Sequence, residues 1–185
     1  MDGTKHSGKS CVGHHVLVGA FAAAAGLGAT NAVAAIDIFL ELEGIKGESV
    51  DKQHPGAIDV VAWSWGLNGP TGSDKKSPAC SQPLSVDKSV DVASPKLVDG
   101  AARNIVYPTA KLFVRKGGEA PFEFLVLNLN NVTVKWLFNG GSESGDVPNE
   151  RLTLAYTSAT FTYRLQKPDG TGVATVTSDA PGSCL

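Results

Sequence analysis

Residues 36–43 read I-D-I-F-L-E-L-E, so an apolar side chain stands at every second position. Side chains alternate between the two faces of a β-strand, and this period of two predicts a strand with one buried face. Residues 58–65, I-D-V-V-A-W-S-W, are apolar at most positions, which predicts a second strand buried along much of both faces. Strands this apolar need a sheet around them, so the remaining chain must supply more strands.

The same alternation recurs further along the chain in short segments separated by turn residues. It predicts strands at residues 84–90, 110–115, 122–127, 132–138, 152–156 and 161–165, with a weak strand near residues 173–176. Val132, Val134, Trp136 and Phe138 are predicted to share one face of their strand. Many short strands without a βαβ rhythm predict a mainly β domain, either an antiparallel barrel or a sandwich.

One helix is predicted at residues 95–104. Ser94 offers an N-cap, Pro95 suits the first helical position, and the apolar residues that follow lie on one side of the turns. A short helix with one apolar face is expected to plug an end of the β-structure.

The first 34 residues are predicted to be a cleavable secretory signal. Lys5 and Lys9 precede an uncharged run at residues 16–29, and residues 32–34 supply the small side chains that signal peptidase accepts. Cleavage after Ala34 leaves residues 35–185 as one domain, secreted or periplasmic and not inserted in a membrane. An uncleaved membrane anchor is the alternative, although the run is rich in Gly and Ala rather than Leu and Ile.

Loss of the signal leaves an even number of cysteines. Cys11 leaves with it, and Cys80 and Cys184 remain as a candidate disulfide in an oxidising compartment. The bond would close a loop of about 100 residues and stabilise the fold by about 4 to 5 kcal/mol in the chain-entropy account. Two unpaired thiols are the alternative.

The sequence predicts no catalytic, metal or cofactor site, and therefore no enzyme. His54 is the one histidine after residue 34, it stands in a loop where a solvated side chain is expected, and no G-x-S-x-G elbow occurs. His54 and two distant cysteines lack the spacing of metal ligands. Asp37, Glu41 and Glu43 share a strand face and could suggest glycoside hydrolysis, but a solvated or subunit-facing strand is expected.

Two further observations limit the partners. Trp63, Trp65 and Trp136 could stack on sugars or bases, but their positions within strands favour the core or an interface. The net charge of −2 gives no electrostatic reason to expect nucleic acid or an anionic membrane as a partner.

Six segments follow one another over most of residues 36–165: D-I-F-L-E-L-E-G-I-K-G-E-S, I-D-V-V-A-W-S-W-G, S-V-D-K, A-S-P-K-L, L-F-V-R-K-G-G and E-R-L-T-L-A-Y. Together they resemble the Hcp family, the haemolysin-coregulated proteins that form the inner tube of type VI secretion systems. The resemblance implies an antiparallel β-barrel of two sheets with one short α-helix. It also implies self-association into a homohexameric ring, stacking of rings into a tube, and other type VI secretion components or effectors as partners.

The loop at residues 44–56 is predicted to be exposed and projecting, and it resembles the extended loop that the family uses between rings. Its candidate polar contacts are Glu43, Lys46, Asp51 and Lys52.

The predicted signal departs from the family pattern, since the tube subunits are assembled in the cytoplasm and carry no cleavable signal. Either the chain is an exported paralogue, or it is cytoplasmic and then exported by type VI secretion. A secreted β-sandwich that binds glycans or small ligands is the alternative function, and it would present aromatic side chains to solvent. The C-terminal extension, residues 167–185, lies outside the best-matching region.

Overall fold

The computed structural model describes residues 35–70, 79–118, 120–143, 147–167 and 169–184. The predicted signal segment lies outside these residues. They form eleven strands and one helix, which confirms the predicted mainly β fold with one short helix. In chain order the elements are β1 (Ile36–Leu42), β2 (Ile58–Asp59), β3 (Ala62–Ser64), β4 (Leu67–Asn68), β5 (Cys80–Ser81), β6 (Leu84–Ser89), α1 (Ser94–Arg103), β7 (Val106–Lys116), β8 (Phe122–Gly140), β9 (Asn149–Ala155), β10 (Ser158–Gln166) and β11 (Gly172–Pro181).

Nine strands form one antiparallel sheet, while β4 and β5 form a separate two-stranded sheet. The order in the large sheet is β2-β1-β7-β8-β9-β6-β3, and β10 pairs with β8 and with β11. β2 and β3 lie at the two ends of this order, and among the described residues they do not pair with each other. The strands therefore form two sheets and not the closed barrel that was predicted. The chain itself bridges the two ends instead, because Val60 N–H donates to Ile38 and Val61 N–H donates to Asp87.

β8 is the longest strand and divides the large sheet into two arms. Its first part pairs with β7 on one edge and β10 on the other, whereas its last part, residues 134–140, pairs with β9 alone. The first arm comprises β2, β1, β7, the first part of β8, β10 and β11; the second arm comprises the last part of β8, β9, β6 and β3. The sequence predicted two separate strands here, but β8 runs through, with Asn131 in the left-handed conformation (φ 50°) between its two parts.

A β-bulge at Lys135 reverses which side chains of β8 point toward the core in the last part of the strand. Val134 and Trp136 pair with consecutive residues of β9, so Lys135 has no partner in the ladder. Val132 and Val134 are buried, whereas Trp136 and Phe138 are 48% and 57% exposed. The prediction that all four share one face is therefore wrong, because the additional residue of a bulge shifts the alternation by one position.

Both arms bury their inner faces in one hydrophobic core. Full burial of an aliphatic side chain contributes about 1.5–3 kcal/mol relative to exposure, so this core supplies most of the driving force for folding. Its fully buried members are Leu40, Ile58, Leu84, Val86, Ala93, Leu97, Leu112, Leu127, Val132, Leu152 and Leu154.

The two apolar segments at residues 36–43 and 58–65 are buried less evenly than predicted. In β1, Leu40 and Leu42 are buried, but Ile36 is 58% exposed at the start of the strand. Residues 58–65 divide into β2 and β3, and Val61 between them is 71% exposed. Burial on both faces is wrong at this position, because the chain passes there from one end of the sheet to the other.

α1 packs its apolar face on the core through the fully buried Leu97, and its observed bounds differ from the predicted ones by one residue. Ser94 is not the N-cap, because Ala93 occupies that position and the Ser94 hydroxyl accepts a hydrogen bond from the backbone N–H of Asp91. Asn104 ends the helix in the left-handed conformation. No helix in the described part of the chain is long and apolar enough to cross a membrane.

A buried ionic cluster joins α1 to the second arm. Lys88 in β6 and Glu150 in β9 are fully buried partners, with Nζ 3.0 Å from Oε1. The same ammonium group donates to Asp91 Oδ1 at 2.7 Å and to the Ser94 hydroxyl at 3.1 Å. Since these groups precede or begin the helix, the cluster fixes where α1 starts relative to the sheet.

Candidate functional site

The loop at residues 44–56, here called the β1–β2 loop, folds back on itself. Gly47 N–H donates to Gly56 O at 2.8 Å, and Ser49 N–H donates to Ala57 O at 3.0 Å. A Cβ atom on Gly47 would lie 2.3 Å from Ala57 O, so this close approach requires glycine. The loop is therefore ordered by its own backbone hydrogen bonds, and Val50 at its tip is 96% exposed.

Arg115 of β7 ties this loop to the first arm. Its guanidinium donates to Asp51 through Nη1 (3.0 Å) and Nη2 (2.7 Å) and to Asp37 of β1 through Nη2 (2.9 Å). It also lies over the Phe39 ring, with Cζ 4.8 Å from the centroid. The hydrogen bonds from Arg115 hold the pKa of the Asp51 carboxyl well below its usual range, and those to Asp51 raise the pKa of Arg115.

His54 fixes the other side of the loop. The ring is 4% exposed, with Nδ1 3.1 Å from Glu41 Oε1 and Nε2 3.0 Å from Glu123 Oε1. The rings of Phe39 and Phe113 enclose it at centroid distances of 4.6 and 4.4 Å. The prediction of a solvated His54 is wrong, because the loop folds back and places the imidazole against the Phe39 and Phe113 rings of the paired strands β1 and β7.

The four candidate contacts for ring stacking are used in two ways. Asp51 is held by Arg115 and supports the loop from within, whereas Glu43, exposed just before the loop, accepts a hydrogen bond from Thr109 Oγ1 at 3.0 Å. Lys46 and Lys52 are exposed on its surface. Val50 belongs to this surface as well, and sequence reasoning missed it because a single valine among polar loop residues carries no periodic signal.

The outward face of the second arm carries an aromatic pair beside an ion pair. The rings of Trp136 and Phe138 are stacked, 5.8 Å apart, and across the ladder Arg151 pairs with Asp87 through Nη2 and Oδ2 at 2.9 Å. Hydrogen bonding to Arg151 lowers the pKa of Asp87, and hydrogen bonding to Asp87 raises that of Arg151. An open cavity of about 520 Å³ lies along these four side chains.

Trp63 and Trp65 are partly buried, as their position in the sequence favoured. Both pack against the core cluster. Trp65 stacks on Phe161 at 5.7 Å and donates its ring N–H to the Tyr156 hydroxyl.

Each end of the second arm presents an open strand edge. β3 pairs with β6 on one side only, and residues 134–140 of β8 pair only with β9 in the described part of the chain. An unpaired edge offers backbone N–H and C=O groups to another strand. The two edges lie at opposite ends of the same four-stranded layer, and β3 and β8 run antiparallel to each other through the intervening ladders.

The C-terminal extension adds a strand and a covalent link. β11 pairs along the length of β10. Beyond it, Cys184 forms a disulfide with Cys80 of β5, with Cα atoms 5.2 Å apart.

The described residues hold no cluster of three or more His, Cys, Asp or Glu side chains suited to a metal ion. Asp37 and Glu41 of β1 and Glu43 just after it bind three different partners: Arg115, His54 and Thr109. The arrangement is that of side chains which anchor a loop, and the larger features of the surface are the two edges and the exposed tip.

A family model described as "Type VI secretion system effector, Hcp" matches residues 39–163. The protein Hcp1 of Pseudomonas aeruginosa is 38% identical to this chain over 142 residues, covering 74% of this chain and 88% of that protein. These similarities lend no support to the alternative of a secreted glycan-binding or ligand-binding module.

Two solved structures share the architecture. A structure of a type six secretion system protein has a TM-score of 0.73 and 26% identity, covering 78% of this chain and 93% of that one. The crystal structure of Hcp1 from Salmonella typhimurium has a TM-score of 0.66 and 30% identity, covering 80% of this chain and 94% of that one.

Proposed function

The chain belongs to the Hcp family of type VI secretion system proteins, and from this we propose that six copies close into a ring through the open edges of the second arm. Hcp proteins are structural subunits that associate with themselves into rings and tubes. The proposal adds the stoichiometry and the contact: β3 of one copy pairs with residues 134–140 of the next.

The carrying observation is that these two edges are complementary and lie at opposite ends of one layer. A contact between two different patches is heterologous, so it continues from copy to copy and closes when the rotation permits. The antiparallel run of β3 and β8 supports a regular antiparallel ladder across the contact. Joining the copies also covers edges that would otherwise promote aggregation.

The same arrangement assigns a place to the aromatic pair. The first arm covers the inward face of the second arm through the shared core, so the opposite face remains to line the central channel. Trp136, Phe138, Asp87 and Arg151 then recur around that channel in every copy.

Native mass spectrometry of the purified chain tests the stoichiometry, and a hexamer is expected. A photoreactive residue at Ala62 in β3 tests the contact, because it should crosslink to the peptide that contains residues 134–140 of another copy. The matched control carries the photoreactive residue at Thr162, which lies in β10 outside the proposed contact. A monomer at micromolar concentration, or equal crosslinking from both positions, contradicts the proposed ring.

For stacking of rings we propose the tip of the β1–β2 loop, with Val50 as the apolar contact and Lys46 and Lys52 as polar contacts. Asp51 would hold the loop in shape through Arg115, and the exposed Glu43 beside the loop is a further polar contact. Support comes from the exposure of Val50 above a loop that Arg115 and His54 pin from both sides.

We also propose that residues 1–34 are a signal that is removed after Ala34, which leaves residues 35–185 as the mature domain. Hcp proteins are exported by the type VI secretion system, and a cleaved signal would add a second route out of the cytoplasm. Intact mass spectrometry of the exported protein distinguishes a chain that begins at Ala35 from one that retains the segment. A retained segment would favour assembly in the cytoplasm and export by type VI secretion alone.

A further inference from the structure

The last described residues of the chain occupy a cleft between β5 and the corner that joins β9 to β10. Ser81 N–H donates to Gly182 O at 3.0 Å, and Cys184 N–H donates to Ser81 O at 2.7 Å. On the other side, Ser183 N–H donates to Tyr156 O, and Tyr156 N–H donates to the Ser183 hydroxyl, at 3.0 and 3.1 Å. The chain end is thus inserted between two segments that bind it on both edges.

The chain end fits closely in this cleft. A Cβ atom on Gly182 would lie 2.6 Å from Thr157 O, so only glycine passes at this point. Ser81 is fully buried, and its hydroxyl donates to Pro181 O at 2.7 Å. With the Cys80–Cys184 disulfide formed, residues 181–184 are thus a packed part of the domain.

β11, which precedes this end, has little else to hold it in place. Nine of its ten residues are exposed, and it pairs with β10 alone. A strand that buries almost no apolar surface gains little hydrophobic stabilisation from its place at the edge of a sheet, and chain ends are disordered unless they are tied down. The order of β11 therefore depends on the attachment of its C-terminal end.

We infer that the Cys80–Cys184 disulfide is a redox-dependent fastener for β11 and the chain end. With both thiols reduced, residues 172–184 detach frequently from β10 and from the cleft. With the disulfide formed, they stay bound to both. The bond forms by thiol–disulfide exchange with a small-molecule disulfide: a thiolate of the pair attacks it and releases one thiol, and the second cysteine then displaces the other. Two protein thiols and one small disulfide give one protein disulfide and two small thiols.

The state of the fastener follows the compartment. A thiol-rich compartment keeps the pair reduced, whereas an oxidising one favours the disulfide. The inference rests on the proposed function only in placing the chain in both compartments during export. The contact proposed for the ring lies in the second arm, so ring formation and the fastener can succeed or fail separately.

Hydrogen exchange with mass spectrometry tests this in the full chain, with Cys11→Ser so that only the two cysteines concerned remain. Equilibration with oxidised glutathione should lower the mass by two hydrogens, and reduction should then accelerate exchange in residues 172–184 by at least about tenfold relative to the oxidised form. β1 and β7 serve as internal controls and should exchange equally in both forms. The Cys80→Ser/Cys184→Ser variant should match the reduced chain.

Two outcomes overturn the inference. One is that oxidised glutathione leaves two free thiols, and the other is that residues 172–184 exchange equally in both forms. Native mass spectrometry of the same samples decides the ring independently. A hexamer with unchanged exchange would remove the fastener and keep the proposed function, whereas a monomer with redox-dependent exchange would do the reverse.

Discussion

Replacing Lys88 with Met should destabilise the fold strongly, because it leaves the Glu150 carboxylate buried without its cationic partner. Both side chains are fully buried, and their charged atoms lie 3.0 Å apart. The second carboxylate oxygen of Glu150 has no hydrogen-bond partner among the described residues, so little else compensates the charge. Removing one partner of a buried ion pair costs about 3–5 kcal/mol.

Equilibrium unfolding in urea can measure a loss of this size, with the fluorescence of the partly buried Trp63 and Trp65 as the signal. In a domain of this length, a loss of about 3–5 kcal/mol lowers Tm by roughly 6–20 °C. Replacing Lys88 with Met and Glu150 with Leu together removes both charges and should recover most of the loss, since apolar residues can replace a buried pair at little cost.

The adjacent rung of the same ladder provides a matched control. Asp87 pairs with Arg151 directly beside Lys88 and Glu150, but on the exposed face. Arg151→Met should leave the urea midpoint nearly unchanged, because solvent screens an exposed pair. Equal midpoints for Lys88→Met and Arg151→Met would refute the argument, and so would a double variant no more stable than Lys88→Met.

Three further outcomes are expected around the β1–β2 loop. The Arg115 hydrogen bonds depress the pKa of Asp51 in the folded chain, so the contribution of Asp51 to the free energy of unfolding is present above about pH 4 and is lost as pH falls. The urea midpoint of Asp51→Asn should therefore change less on acidification than that of the wild type. Gly47→Ala should cost about 1–3 kcal/mol in urea unfolding, because its Cβ meets backbone, whereas Gly69→Ala meets nothing within 4 Å and should be near neutral. Val50→Asp should abolish tubes in electron micrographs while hexamers persist in native mass spectrometry; tubes of normal length would exclude this tip as the stacking contact.

Much of the fold was predictable because strand alternation is a local property. β1, β6, β9 and β10 begin and end within a few residues of the predicted positions, and α1 within one. The pattern failed at Lys135, since a bulge depends on how β8 fits β9 and leaves no mark in the period of the sequence before it. Trp136 is 48% exposed and so does not lie in the core, and its exposed position became visible only through that bulge. Its place in an interface stays a prediction.

The candidate site was predictable only in part. The sequence pointed to the β1–β2 loop and to four polar residues in or beside it, and three of these, Glu43, Lys46 and Lys52, are exposed. It gave His54 the surroundings of a solvated loop, because the acids that bind it are 13 and 69 positions away in the chain. Arg115 was likewise treated as one polar residue of an alternating strand, and its Asp51 partner is 64 positions distant.

The sequence by itself determined the mainly β composition, the single helix and the family, since hydrophobic period, turn residues and ordered segments are all read along the chain. The tertiary structure alone decided which strand edges stay open, which face carries Trp136 and Phe138, and that the chain end is bound between β5 and the β9–β10 corner. These features arise from pairing and burial between distant segments. Their free energies belong to contacts that exist only once the sheet has formed, so no local pattern encodes them.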